Sequence, residues 1–480
     1  MDADRHEPGP RWLPVAAFAT AALTAAAFHE HTQFLNDDAL ITVRYAEHLA
    51  HGDGLTYNIG ERVLGTSAPL WALVLAAIAW TGRSAVAAAT WLGIAAQGWT
   101  AAATVLLLRR RGAAWWAQAL AASLVATSPM LLVWAGSGME TSLHVASIAT
   151  FLWLFERGAW TALGFVGGAM VLLRPDAGLV LAAAAVLETW RSRSARAVLS
   201  ALPGFAIVVV PWVVGAVLYF GTPLPNSGFA KRLQVEDWGT YSHALGAALW
   251  SVGPLFAVAL VGFVASGLRA ATALPSLALA TIVVGMSLGG LPGCGWYLAA
   301  PMYLVVLLAV DGASLAAGRL AAGRDPRRSP VAVAALAAPL LGHVLLTQVA
   351  HRTKCDQADL ERLHARVGAW LRDHAPSGAA VGADNIGYIG EISGLRVVDM
   401  TGLVQRETAE AISRGERDYA LEHYRPELIA MWVGRGAAHK YVPDGKWFED
   451  NRYRVVFEAP LDDRKREPAY TVFSRVETRP

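Results

Sequence analysis

Two adjacent carboxylates, Asp37 and Asp38, stand just beyond a long apolar run and open a helix-like stretch that carries Arg44 and Tyr45. A carboxylate within hydrogen-bond reach of a hydroxyl can take its proton while that oxygen attacks a carbon centre. The plainer alternative is a helix cap, with Asp37 or Asp38 accepting backbone N–H groups at the start of a helix that runs to Ala50. Glu140 is the next acid in a polar break between apolar runs; it either favours the start of the following helix or positions a reacting group. Arg174 and Asp176 flank Pro175 between two more apolar runs. They read as an ion pair in a tight turn, or as contacts for a phosphate or a sugar. Lys231 and Arg232 follow Pro223-Leu224-Pro225-Asn226. Such cations suit lipid headgroups, and they equally suit the phosphate of a leaving group. His29, Glu30 and His31 precede the acid pair, where interfacial polarity accounts for them, so no metal is expected. Cys294 and Cys355 are isolated, without zinc-type spacing; two separate thiols are favoured over a disulfide between them.

The elements that must position these residues are mostly apolar helices. The 480 residues are 55% hydrophobic and 16% charged, where a soluble domain carries about a quarter charged. The deficit lies between Trp12 and about Ala350, and ordinary soluble composition returns from His351 to Pro480. A crossing helix needs roughly 20 apolar residues. Spans are expected at 12–30, 85–108, 113–133, 141–156, 158–173, 177–190, 197–220, 247–266, 272–291, 297–316 and 330–349, about eleven in all. Basic clusters mark the cytoplasmic side. Arg109 to Arg111, then Arg191, Arg193 and Arg196, then Arg269, then Arg319, Arg324, Arg327 and Arg328 all fall on one side, together with Arg5 and Arg11. The apolar run 68–82 breaks this register if it crosses. It is therefore expected as an interfacial or re-entrant helix with Trp71 and Trp80 at headgroup level. The N-terminus is then cytoplasmic, and the loop 31–84 and the C-terminal region lie outside.

Within 351–480, an amphipathic helix over 356–375 places Leu360, Leu363, Val367, Trp370 and Leu371 on one face. Strands are expected at 379–383, 395–398, 428–433, 453–458 and 470–476, with a glycine-broken helix at 386–392. That alternation implies a soluble α/β domain following a membrane body at 1–350. There is no G-x-G-x-x-G or phosphate-loop pattern, and a net charge of +2 gives no reason to expect a nucleic-acid partner.

The blocks Asp37-Asp38-Ala39-Leu40-Ile41-Thr42-Val43-Arg44-Tyr45-Ala46, Gly52-Asp53-Gly54-Leu55-Thr56-Tyr57-Asn58-Ile59-Gly60-Glu61-Arg62-Val63 and Thr66-Ser67-Ala68-Pro69-Leu70-Trp71 resemble the first outer loop of the GT-C glycosyltransferase superfamily. The nearest likeness is to the mycobacterial-type terminal arabinofuranosyltransferases and related bacterial enzymes. Gly138-Met139-Glu140-Thr141, Arg174-Pro175-Asp176-Ala177-Gly178, Pro225-Asn226-Ser227-Gly228-Phe229-Ala230-Lys231 and Val398-Asp399-Met400-Thr401-Gly402-Leu403 agree in order. One departure is Trp296-Tyr297-Leu298-Ala299-Ala300-Pro301, where many relatives carry an arginine. The resemblance implies a multi-pass bacterial inner-membrane enzyme with a GT-C-like body and a periplasmic α/β domain. Its donor would be a polyprenyl-phosphate sugar and its acceptor an envelope glycan or glycoconjugate. Asp37 is then the base, with Asp38 as alternate or orienting partner, and Glu140 positions the acceptor or base. Lys231, Arg44 and Arg174 are assigned to the donor phosphate, and Tyr45, Asp176 and Asn226 to substrate positioning. No cofactor is required, because a monophosphate leaving group carries less charge than a diphosphate. A flippase for lipid-linked sugars or a noncatalytic envelope scaffold is the alternative. A flippase calls for charges or broken helices at mid-membrane, whereas here the polar residues lie at span ends.

Overall fold

The computed structural model describes residues 9–233, 270–289, 295–321, 358–433, 446–460 and 469–476. The expected spans 247–266 and 330–349, and both cysteines, lie outside these. The chain divides into two compact units that do not follow its order. The first draws on residues within 1–33, 90–213 and 235–354, and the second on residues within 34–89, 214–234 and 355–480.

The first unit is helical. In chain order its helices are α1 (Leu13–Thr32), α4 (Ala85–Arg110), α5 (Trp115–Thr127), α6 (Pro129–Ala135), α7 (Thr141–Arg157), α8 (Trp160–Leu173), α9 (Ala177–Ser192), α10 (Arg196–Phe220), α12 (Ala270–Gly289) and α13 (Ala299–Ala321). A 3₁₀ turn, Gly295–Leu298, precedes α13. Among the described residues four helices are long and apolar enough to cross a membrane, or five if α5 and α6 form one broken span. The break is a 57° bend at Pro129, which cannot donate to the helical ladder. The expected spans at 141–156, 158–173 and 177–190 are helices of 17, 14 and 16 residues, short of the roughly 20 needed.

Packing in this unit uses small residues. Helix α1 buries Leu13, Ala17, Ala21 and Ala25 at four-residue spacing and lays that stripe on α5 and α6. At Gly164 of α8 a Cβ would strike the Ala201 carbonyl of α10, and at Gly204 it would strike the Thr161 carbonyl. Small residues let apolar helices approach closely where dispersion supplies the attraction. Outward faces stay apolar, as at Val15 and Leu23 of α1 and Ile207 and Val210 of α10. The basic loop after α4 does more than mark a side. Buried Arg111 bridges Glu156 at 3.2 Å and Asp311 at 3.1 Å, tying α4 to α7 and α13.

The second unit joins α2 (Asp37–His51), α3 (Pro69–Ala79) and α11 (Asn226–Leu233) to the C-terminal elements. These are α14 (358–374), β1 (Ala380–Ala383), α15 (Ile386–Ser393), β2 (Arg396–Asp399), α16 (Arg406–Ser413), α17 (Tyr419–Tyr424), β3 (Leu428–Val433), α18 (Lys446–Asp450), β4 (Tyr453–Pro460) and β5 (Ala469–Arg475). The five strands form one sheet in the order β2-β1-β3-β5-β4. Strand β1 runs parallel to β2 and β3, pairing Val381 with Val397 and Gly382 with Ile429, and β5 is antiparallel to both its neighbours. Val398, Met431, Trp447, Phe448, Tyr453 and Phe473 fill a core on this sheet. The 11 residues of α3 rise about 16 Å, half of a bilayer core. Trp80 is exposed as an interfacial residue would be, but Trp71 is fully buried, where a headgroup position was expected.

Candidate functional site

Helix α2 starts at Asn36, whose side chain accepts the Asp38 N–H at 3.0 Å. The cap is thus Asn36, and neither aspartate is needed for it. Asp37 and Asp38 occupy the first turn, where the helix dipole favours negative charge. The helix ends at Gly52, in a left-handed conformation (φ 92°) that glycine adopts without strain.

Both Asp37 oxygens accept backbone N–H groups from the start of α15: Gly387 at 3.0 Å and Tyr388 at 2.8 Å. Seven residues on, about 10 Å along the same face, Arg44 reaches the other end of α15. It donates to the Gly390 and Leu395 carbonyls, the latter at 2.7 Å, and to the Tyr57 carbonyl at 2.8 Å. Its guanidinium also lies over the Tyr57 ring at 4.7 Å. An anion at the N-terminus and a cation at the C-terminus each complement the dipole of α15. The two helices approach closely because Gly387 and Gly390 face α2. A Cβ on Gly387 would meet Asp37, and one on Gly390 would meet Tyr57 and Arg44. The expected glycine break at 386–392 is instead a continuous helix whose glycines make room.

The rest of the first loop extends this dock. Tyr57 donates to the Ile386 carbonyl at 2.6 Å. Asn58 pairs with Val397 on edge strand β2, accepting its N–H at 3.0 Å and donating to its carbonyl at 2.9 Å. A side chain here covers a strand edge that would otherwise be open. Glu61 pairs with Arg396. Tyr45, expected to position substrate, is fully buried and staples the loop, donating to the Val63 carbonyl at 2.6 Å and accepting the Gly65 N–H at 2.9 Å. Asp399 is likewise internal. Its carboxylate accepts from the Thr401 N–H and hydroxyl and from the Val404 N–H, shaping the 400–405 turn. Asn226 donates to the carbonyls of that turn at Gly402 (2.7 Å) and Leu403 (3.2 Å). It also lines a cavity of about 350 Å³ with Arg62, Leu64, Phe220, Phe229 and Arg406. Lys231 follows Asn226 on α11.

Asp37 has further neighbours that sequence reasoning missed. Its carboxylate, that of Glu361 and an imidazole nitrogen of His364 lie within 4.8 Å of one another. Burial, reinforced by the Glu361 charge, pushes the Asp37 carboxyl up to about 7. Burial alone would lower His364, but its bond to Glu361 and the nearby Asp37 raise it. The available signal was a histidine on the apolar face of α14, three residues from a glutamate. Its spatial partner is more than 320 residues away, beyond any local pattern. His29, Glu30 and His31 are not part of a three-residue cluster of this kind among the described residues.

In the first unit three expected residues do meet. Arg174 ends α8 and Asp176 precedes α9; their side chains bond at 3.0 and 3.3 Å, and Arg174 also reaches Glu140 at 3.5 Å. Arg174 is buried, and burial would lower it, yet Asp176 and Glu140 hold it firmly charged. Burial would raise Asp176, but Arg174 keeps it below the usual carboxylate range. The guanidinium lies 4.5 Å over the Tyr297 ring, so the aromatic stretch without an arginine of its own meets one from another helix end.

A domain of unknown function (DUF8728) matches residues 352–473. The chain is 26% identical over 233 residues to a terminal beta-(1->2)-arabinofuranosyltransferase of Mycobacterium tuberculosis, covering 43% of this chain and 36% of that protein. It is 24% identical over 264 residues to the Corynebacterium glutamicum protein of the same name, covering 48% and 38%. The chain thus spans well under half the length of the curated relatives it matches. Among solved structures it resembles the archaeal oligosaccharyltransferase AglB of Archaeoglobus fulgidus, in complex with an inhibitory peptide and a dolichol-phosphate. That likeness has a TM-score of 0.59 at 11% identity and covers 94% of this chain and 80% of that one. It also resembles ArnT of Cupriavidus metallidurans bound to undecaprenyl phosphate, with a TM-score of 0.61 at 14% identity and coverage of 97% and 99%. The fold is thus shared with AglB and ArnT.

Proposed function

We propose that this chain is a glycosyltransferase of the bacterial inner membrane that moves a sugar from a polyprenyl-phosphate carrier to an envelope glycan or glycoconjugate on the periplasmic face. Arabinofuranose is the sugar favoured by the curated relatives. In the reaction an acceptor hydroxyl attacks the anomeric carbon, the bond to the carrier phosphate breaks, and the hydroxyl proton passes to a carboxylate. One base and one displacement invert the anomeric configuration, through an oxocarbenium-like state of the kind met in glycoside hydrolysis.

The observation that carries the reading is the acid pair at the start of a clamped helix. Asp37 is held by two amides of α15. Asp38, the next residue, lies about 100° around α2 on another face. We therefore give Asp38 the role of base and Asp37 that of fixing the helix that presents it. Pre-organisation of this sort keeps a base at the geometry its reaction needs. Arg44 is engaged by carbonyls and Arg174 by two acids, so the phosphate falls to Lys231 and to Arg62, which borders the cavity beside Asn226. Glycosyl-linkage analysis of the envelope from cells with and without the gene tests this. Loss of one terminal linkage, restored by the wild-type gene and not by an Asp38→Asn copy, is expected. An unchanged linkage profile would contradict the assignment.

A further inference from the structure

We propose that Asp37, Glu361 and His364 form a binding site for a divalent transition ion of the Zn²⁺ or Mn²⁺ type. The site lies where α2 meets α14. Glu361 and His364 are three residues apart on α14 and so share a face, while Asp37 comes from α2. One potential ligand atom from each lies within 4.8 Å of the other two. About 3.4 Å separates ligand atoms around an ion held at roughly 2.1 Å, a closure that side-chain rotation supplies.

Three further observations point to a ligand. Glu361 and His364 are 6% and 2% exposed. A carboxylate enclosed in this way is costly unless compensated, and a divalent ion is one compensating group. Second, Nε2 of His364 is buried without a hydrogen-bond partner, while Nδ1 lies 3.0 Å from Oε2 of Glu361. Buried polar atoms are rarely left unsatisfied. Third, the imidazole is fixed by three rings, Tyr470 at 4.8 Å, Trp432 at 5.8 Å and Tyr388 at 6.3 Å between centroids. Rigid support of this kind orients metal ligands. Each Asp37 oxygen accepts one amide and keeps a second lone pair. The mixture of imidazole and carboxylate selects borderline ions, since Ca²⁺ and Mg²⁺ prefer oxygen donors throughout. The competing way to balance the charge is a proton on His364.

The test uses purified full-length protein in detergent, first stripped with chelator. Titration with Zn²⁺ or Mn²⁺ is expected to show about one equivalent bound per chain and a melting temperature that rises with ion concentration. Ca²⁺ and Mg²⁺ should do neither. Glu361→Gln and His364→Gln should each weaken binding at least 10-fold. Asp359→Asn, an exposed acid on the same helix, should leave it unchanged. If the variants fail to fold, the stripped and reloaded wild type still decides the question. Wild-type protein that binds neither ion and melts at the same temperature with and without them overturns the site in favour of the protonated imidazole. Because no sugar transfer is measured, this result is separable from the failure of the enzymatic reading.

Discussion

Asp37 and Asp38 are neighbours in sequence to which the proposal gives different tasks, and the difference is measurable. Asp37 anchors α2 by accepting two amides, so Asp37→Asn turns one acceptor into an N–H₂ group facing an N–H donor. A buried donor left unsatisfied costs about 2 kcal/mol, so this variant should melt at a lower temperature. Asp38→Asn should melt like the wild type and lose transfer by roughly 10²-fold or more. Equal melting and equal activity loss in the two variants would remove the division of labour. Arg44 is the counterpart of Asp37 at the far end of α15. Arg44→Met keeps the apolar stem and leaves the Tyr57, Gly390 and Leu395 carbonyls without their charged donor. A destabilisation on the order of 3 kcal/mol is expected by chemical denaturation. A change below about 0.5 kcal/mol would show that the guanidinium is not holding the dock.

At the scale of elements, the contact of α2 with α15 contains a second acid pair. Glu391 of α15 is pushed up to about 8 by burial and by Glu47 of α2, with which it shares a hydrogen bond; Arg44 works in the opposite direction. The folded protein therefore keeps a proton on Glu391 that the unfolded chain releases near 4.5. The folded state binds more protons across that range, so stability falls as pH rises from about 4.5 to about 8 and levels off beyond. Glu391→Gln keeps a neutral hydrogen-bonding group and should flatten this part of the profile of melting temperature against pH. An unchanged slope would place its origin elsewhere. The strands of the sheet were legible in the sequence because short apolar runs bounded by Gly, Pro and Asp have few other solutions; β1, β2 and β3 lie within a residue or two of expectation. The dock of α2 on α15 was not legible. Gly387 and Gly390 look like helix breakers until α2 is seen against them, and their partners stand some 350 residues away. For the same reason Arg44 and Tyr45 read as ligand contacts when they build the loop, whereas for Arg174 and Asp176, two residues apart, an ion pair was one of the two readings open in the sequence, and the structure shows that pair.

For the whole molecule, the first loop and the C-terminal α/β elements form one unit although the apolar helices separate them in sequence. That arrangement requires both to lie on one side of the membrane. A reporter fused after Gly82 and another at Pro480 should both read as periplasmic, and one after Arg111 as cytoplasmic. A cytoplasmic reading after Gly82 would make α3 part of a true span and reverse the assignment of every later loop. The most direct test of the central claim is transfer by the purified full-length protein from a synthetic polyprenyl-phosphate sugar to a glycan acceptor. The expected result is one polyprenyl phosphate released per sugar transferred, with the anomeric configuration inverted. Absence of transfer from polyprenyl-phosphate arabinofuranose and from other polyprenyl-phosphate sugars alike, by protein that is folded and melts cooperatively, would contradict it.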